Sequence, residues 1–401
     1  MITSKSSDVL IVGAGVVGLA IGLGILESRP TSKVIILEKE SALGKHASGR
    51  NSGVLHAGFY YSPDSLKAKF CRDGNLELRE LCREFNIPLK EVGKVVVSRN
   101  EAEDLRLDNL LERGEANGVE LELLPKSRLA DFEPLAKTYE RFLWSPNTAI
   151  SDSSSVISAM RSKFISLGGE LIFDARAELT LNQDEVVIAG YDAAIVINAA
   201  GAQADRVARK LGLAKDYAMV PFMGLYRKTN SQLLPLQKLV YPVPHPINPF
   251  LGVHFTVTLA GSVKIGPTAI PVLGREQYSL WSGWSISDMY QGIIGATALI
   301  SGDAHSFGEI LKSELPKLLQ RSLVNQAADL VPTASSVKKW QRQQPGIRAQ
   351  LVNKRTGELE QDFIVEQSHN SIHVLNAVSP GWTSSIPFGR WVAQTKVLPQ
   401  L

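Results

Sequence analysis

The chain has 401 residues, 44% of them hydrophobic, enough to bury a large core and to suggest two or three domain-sized units. Its 43 Lys and Arg against 40 Asp and Glu leave a formal net charge of +3, without the basic patch that a nucleic-acid partner needs. The two cysteines, Cys71 and Cys82, are too few for a disulfide scaffold and lack metal-ligand spacing, so they read as reduced, half-buried residues of a cytoplasmic protein with no metal site.

The first predicted element is a strand over residues 8–12 that runs directly into Gly13-Ala14-Gly15-Val16-Val17-Gly18, followed by an apolar helix. A second short strand ends at Glu38, 25 residues after Gly13, with Lys39 next to it. A dinucleotide needs this arrangement. Gly13 allows the tight strand-to-helix turn, Gly15 lets the backbone approach a pyrophosphate, and Gly18 lets the helix pack on the strand. The N–H groups at Val16 and Val17, at the start of the helix, suit phosphate, and Glu38 suits a ribose diol. Residues 9–26 are 18 positions without a charge, long enough for a membrane span, but glycines at 13, 15, 18, 22 and 24 argue against one. Asp8 abuts the apolar run, which also fits a secretory signal poorly.

Further along, residues 44–58 form a second glycine-rich segment leading into Tyr60 and Tyr61. Leu66, Phe70, Leu78 and Leu81 have helical spacing over residues 64–85. Residues 92–98 read as a strand, and 101–117 as a charged surface helix stopping near Gly118. Short strands are expected at 170–174, 177–181 and 185–189. A buried strand at 193–198 meets Ala199-Ala200-Gly201 and a helix, so that a second backbone turn approaches the cofactor. Residues 217–271 read as an antiparallel sheet and 307–324 as helix. A last strand at 371–378, the turn Ser379-Pro380-Gly381 and a helix from Thr383 complete the chain. There are no repeats or low-complexity tracts.

Several glycine-rich turns beside one another favour a flavin, held lengthwise, over a nicotinamide. The run His46-Ala47-Ser48-Gly49-Arg50-Asn51-Ser52-Gly53-Val54-Leu55-His56-Ala57-Gly58, with Tyr60-Tyr61, Ser65-Leu66-Lys67-Ala68 and Gly93-Lys94, resembles the L-2-hydroxyglutarate dehydrogenase/oxidase family of the FAD-dependent D-amino-acid oxidase superfamily. The likeness continues through Tyr241-Pro242-Val243-Pro244, Gly261-Ser262-Val263-Lys264-Ile265-Gly266-Pro267, Gly346-Ile347-Arg348-Ala349-Gln350 and Ser379-Pro380-Gly381-Trp382-Thr383-Ser384-Ser385. It implies an α/β fold: a Rossmann-like, glutathione-reductase-like FAD-binding domain with an inserted antiparallel-sheet substrate domain, in D-amino-acid oxidase-like architecture. The FAD domain would take residues 1–88, 151–213 and 345–401, and the substrate domain 89–150 and 214–344. Arg50 and Trp382 depart from the family pattern, which more often has a histidine and a small residue there.

The resemblance implies oxidation of L-2-hydroxyglutarate, or a related small 2-hydroxy acid, to the 2-oxo acid. Such a reaction needs a base near pH 7, for which His56 is the first candidate and His254 the second. Arg348 resembles the arginine that holds the substrate carboxylate across the superfamily. Arg50, Lys264 and His254 are candidates for the second positive group that a diacid requires, and Tyr60, Tyr61 and Tyr241 are candidate hydrogen-bond donors. FAD, expected to be dissociable, would be held by Gly13, Gly15, Val16, Val17, Gly18, Glu38 and Lys39. Ser48, Gly49, Asn51, Ser52, Gly53 and Gly201 would lie along it, with Gly381, Thr383 and Ser384 at the pyrimidine end. Oxygen or a quinone would take the electrons, and Trp281 and Trp284 leave room for peripheral contact with the inner membrane. The alternatives are an amino-acid or amine oxidase of the glycine or sarcosine oxidase type, and a non-catalytic FAD-binding relative.

Overall fold

The computed structural model describes residues 4–182, 185–245, 250–279, 282–283 and 285–401, with the backbone alone for 304–306. Trp281 and Trp284 lie outside the described residues. The first strand, Lys5–Val12, is the centre of a largely parallel sheet, flanked in parallel by Val34–Leu37 and Tyr191–Asn198. Glu170–Ile172 extends the sheet in parallel beyond Val34–Leu37, and Ser371–Asn376 pairs in parallel with Tyr191–Asn198. Val9, Leu10 and Ile11 are fully buried, as a strand covered on both faces requires, and this explains their unbroken apolar run.

The uncharged stretch at 9–26 is therefore strand, turn and helix. Two of its glycines serve packing: a Cβ on Gly24 would lie 2.9 Å from Arg390 Cα. On the facing helix, Ser385–Val392, a Cβ on Gly389 would lie 2.5 Å from Ala20. Helix Val16–Ser28 and the last helix thus meet backbone to backbone. Among the described residues no helix is long and apolar enough to cross a membrane.

A second large sheet runs in the order Gln341–Arg342, Arg227–Asn230, Ser262–Gly266, His254–Val257, Leu239–Pro242, Lys94–Val97, Arg141–Ser145 and Glu122–Pro125. Its pairings are antiparallel except one, Leu239–Pro242 beside Lys94–Val97, where Leu239 faces Lys94 and Tyr241 faces Val96. A third, smaller sheet joins Tyr217–Gly224 to Gly346–Asn353, with Phe222 opposite Arg348. The segment 217–271 thus divides between two sheets rather than forming the single sheet expected of it, because Tyr217–Gly224 finds its partner more than a hundred positions downstream.

Other differences have local causes. The helix expected at 307–324 begins much earlier, as Ile286–Glu314 with a kink at Asp303, and resumes as Gln320–Ala328. Glycines in its first half lower its helix propensity, yet a Cβ on Gly295 would meet Val220 Cγ2 at 2.3 Å, so packing requires that one. The last helix starts at Ser385 rather than Thr383, whose hydroxyl donates instead to the Val54 carbonyl. Cys71 and Cys82 are fully rather than half buried, at 0% and 2% exposure, and burial pushes the Cys71 thiol up to about 12.

Candidate functional site

The C-terminal ends of the parallel strands and the faces of the large second sheet and the small Tyr217–Gly224 sheet enclose a cavity of about 560 Å³. Its outer end is built by the first turn. Gly13 has φ +104°, and a Cβ there would lie 2.6 Å from the Ala199 carbonyl oxygen. A Cβ on Gly15 would meet only Ser48 Oγ, at 3.1 Å, so the backbone is bare toward the cavity. The Val16 N–H donates to Ser48 Oγ, and Val17 lies beside it on the wall. The Glu38 carboxylate accepts from the N–H groups of Ala14 and Glu40, at 2.9 and 3.0 Å, which fixes it at the end of its strand. Gly201, at φ +54°, brings the second turn to the same wall.

The mouth is laced by polar contacts. Lys39 Nζ donates to both oxygens of Glu276 at 2.8 Å and pairs with Glu40 at 2.9 Å, so its charge is already shared. His46 bridges Glu40 and the Tyr278 hydroxyl, and Lys39 and the imidazole hold the Glu40 carboxyl down at about 2. Arg50 lies 4.0 Å over the Tyr278 ring and donates to the Lys45 and Pro345 carbonyls. The segment carrying Glu276 and Tyr278 is thereby strapped across the opening.

The inner end is different in kind. His56, His254, Tyr241 and Arg348 line it, carried by the glycine-rich loop, the large sheet and the small sheet respectively. His254 Nδ1 lies 2.9 Å from the Gly252 carbonyl, which can only accept, so Nδ1 carries the proton and Nε2 keeps its lone pair. Its ring stacks on Tyr241 at 3.8 Å. Burial, with the nearby charges of Arg348 and Lys94, pushes His254 down to about 3. Burial likewise pushes His56 well below the usual imidazole range, helped by Lys94, His254 and Arg348. Both rings are neutral at pH 7 and can take a proton. The His56 backbone N–H donates to Thr383 Oγ1, which joins the glycine-rich loop to the start of the last helix.

The structure does not bring every candidate to the wall. Gly381, Thr383, Asn51 and Ser52 line the cavity, as does the departing residue Trp382. Gly49 and Gly53 stand off it and shape the loop: their Cβ atoms would fall 2.1 Å from the Gly44 carbonyl oxygen and 2.3 Å from that of Ser151. Gly18 is also set back, where a Cβ would lie 2.0 Å from the Gly13 carbonyl oxygen, and Ser384 is buried without a partner for its hydroxyl. Tyr60, Tyr61 and Lys264 do not line the cavity, and Lys264 extends beside Lys228 on the neighbouring strand. Sequence reasoning assigned no role to Tyr226, Tyr278, Glu276 or Lys94. The first three had no motif to mark them; Lys94 stood in the family-like Gly93-Lys94 pair, but a lysine opening a valine run reads as a strand edge.

A long crevice with bare glycine backbone, a fixed carboxylate at one end and neutral imidazoles at the other fits a nucleotide-bearing redox cofactor. The chain belongs to the FAD-dependent oxidoreductases: residues 8–395 match the family described as "FAD dependent oxidoreductase". Among curated proteins it is similar to L-2-hydroxyglutarate dehydrogenase of Indibacter alkaliphilus, 35% identical over 96% of this chain and 98% of that one. It is also similar to the enzyme of the same name from Escherichia coli K12, 35% identical over 95% and 91% of the two chains. Among solved structures it shares its fold with FAD-bound L-alpha-glycerophosphate oxidase of Mycoplasma pneumoniae, with a TM-score of 0.76, 22% identity and coverage of 98% and 95%.

Proposed function

We propose that this chain oxidises L-2-hydroxyglutarate, or a closely related small 2-hydroxy acid, to the 2-oxo acid, using non-covalently held FAD. The observation that carries the reading is the inner end of the cavity, where the Arg348 guanidinium stands beside two neutral imidazoles and no protein carboxylate opposes it among the described residues. The near full-length likeness to L-2-hydroxyglutarate dehydrogenases supports the choice of acid.

The bare backbone at Gly13 and Gly15 would admit the pyrophosphate beside the Val16 N–H and Ser48 pair, Glu38 would hold the ribose, and the turn at Gly381 and Thr383 would hold the pyrimidine edge. Bound there, FAD supplies a two-electron acceptor. The protein's own residues do the rest. Arg348 takes the carboxylate next to the reacting carbon through parallel N–H donors and so fixes which face of the acid is presented. His56 accepts the hydroxyl proton, and His254, whose Nε2 can likewise only accept, is the second candidate for that role. The aromatic walls of Tyr241 and Tyr226 exclude water around the reacting carbon. In this division the parallel sheet carries the cofactor and the antiparallel sheets carry the acid. Both cysteines lie in the core rather than on the cavity wall, in keeping with dissociable FAD. Oxygen or a quinone would take the electrons onward.

The test is anaerobic bleaching of the purified yellow protein. L-2-hydroxyglutarate should bleach it, while the D-enantiomer, glycine and sarcosine should leave it yellow. Bleaching by an amino acid and by no hydroxy acid would overturn the reading.

A further inference from the structure

The strand Lys94–Val97 is buried at every position, and it opens with a lysine. Lys94 is 0% exposed, and its Nζ has no hydrogen-bond partner among the described residues. The parallel pairing places Lys94 on the same sheet face as Tyr241, one strand away. Nζ lies 4.7 Å from the ring centroids of Phe59 and Tyr60 and 4.8 Å from that of Tyr241. The Tyr241 ring also stacks on His254 and forms part of the cavity wall. Three aromatic rings attract an ammonium, but they do not replace the hydrogen bonds it made to water.

The surrounding charges are all of one sign. Lys94 and Arg348 both act on His56 and on His254, and no Asp or Glu counters them among the described residues. Burial pushes Lys94 itself down to about 7, and the group that acts against this is the thiol of Cys71. Of the other cations considered for this end, Arg50 is committed to two carbonyls and Tyr278 at the mouth; Lys264, like Lys94, does not line the cavity, but Lys94 lies against the Tyr241 ring of its wall and acts on both imidazoles. A buried end with one cation on its wall, a second against the Tyr241 ring and no acid facing them among the described residues is completed by a ligand that brings two negative charges.

We propose that the Lys94 charge, against the Tyr241 ring that forms the cavity wall, favours the far carboxylate of a dicarboxylic 2-hydroxy acid while Arg348 receives the near one, which makes Lys94 the residue that selects a diacid over a monoacid. This rests on the reading of the site given above. It has a consequence for the base: burial is the larger reason that His56 is held down, but the two bound carboxylates offset the added effect of Lys94 and Arg348, so His56 gains basicity when a diacid is in place.

The test uses the holoenzyme and its Lys94→Met variant, each titrated anaerobically with L-2-hydroxyglutarate and with L-2-hydroxybutyrate while bleaching is followed. In the variant, half-saturation by the diacid should rise about thirtyfold and that by the monoacid by less than about threefold. A variant that keeps its diacid preference, or that weakens equally toward both acids, overturns the proposal. Should Lys94→Met fail to fold or lose its flavin, the wild-type holoenzyme decides the matter through perturbation of its visible flavin bands by two unreactive acids. Glutarate should bind at least about tenfold tighter than butyrate, and equal affinities overturn the proposal. This comparison stands apart from the reaction itself: wild-type bleaching by an amino acid alone would reject the function, whereas bleaching by L-2-hydroxyglutarate with no role for Lys94 would reject only the diacid selector.

Discussion

The two ends of the cavity solve opposite problems. At the outer end the polar groups are satisfied within the protein: the Glu38 carboxylate by two backbone N–H groups, the Val16 N–H by Ser48, and Lys39 by Glu276 and Glu40. What that end offers a ligand is shape, through glycines where side chains do not fit. At the inner end the shape comes from bulky aromatics, and polar groups are left unmet: against the Tyr241 ring of the wall Lys94 has no acceptor among the described residues, and two imidazoles are held neutral near cations. A self-satisfied end tolerates an empty state; an unsatisfied one is destabilised until its ligand arrives. On the proposed reading, the first end holds a dissociable cofactor and the second binds a substrate in passing.

Four substitutions would break or sharpen this comparison. The largest effect should come from Gly13→Val, which places a branched side chain at φ +104° against the Ala199 carbonyl. Stability should fall by more than about 3 kcal/mol and the protein should purify colourless, as read from its flavin-to-protein absorbance ratio and urea unfolding. A stable yellow variant would show that the outer end does not depend on shape. Next, His56→Gln should keep its flavin but slow anaerobic flavin reduction by about 10²–10⁴-fold in stopped-flow measurements. A normal rate would move the proton to another group.

The third change concerns stability and pH. Lys94 is held at about 7 in the folded protein against 10.5 when unfolded. The unfolded chain therefore binds the extra proton between those two values, and the cost of burying the charge is full below about 7 and fades as pH rises toward 10.5. Lys94→Met should accordingly stabilise the ligand-free holoenzyme by about 2–4 kcal/mol at pH 6, with the gain shrinking by pH 9, as read from urea midpoints. A variant less stable than wild type at pH 6 would mean that the lysine is not a strained charge. The smallest effect should be that of Arg348→Lys, which keeps the charge and loses the paired donors: KM for the hydroxy acid should rise about tenfold with kcat nearly retained. An unchanged KM would take Arg348 away from the carboxylate.

The parts that were legible in the sequence are those set by neighbours in the chain. The turn at Gly13 and Gly15 could be read because a strand, a positive-φ glycine and a helix start follow one another within a few residues, and Glu38 because it closes the next strand. The helix Glu101–Ala116 announced itself through its acidic first turn and its stop near Gly118. The helix Ile286–Glu314 did not, because Gly295 answers to Val220 and Gly302 to Gly357, residues far away in the chain. The resemblance in the glycine-rich block supplied His56 and Arg348 as candidates, but not the fact that the loop, the large sheet and the small sheet carry them to one end of a single cavity.

Lys94 marks where the sequence alone stops. A lysine before three valines has the local character of a solvent-facing strand end. Only the parallel pairing with Leu239–Pro242, together with the rings of Phe59, Tyr60 and Tyr241, removes it from water. The sequence by itself determined the cofactor turn, since backbone geometry over a few residues is a local property. The tertiary structure decided the charge state and partners of the inner end, because desolvation is set by everything that packs around a group, and here those neighbours come from segments that only the folded sheets bring together.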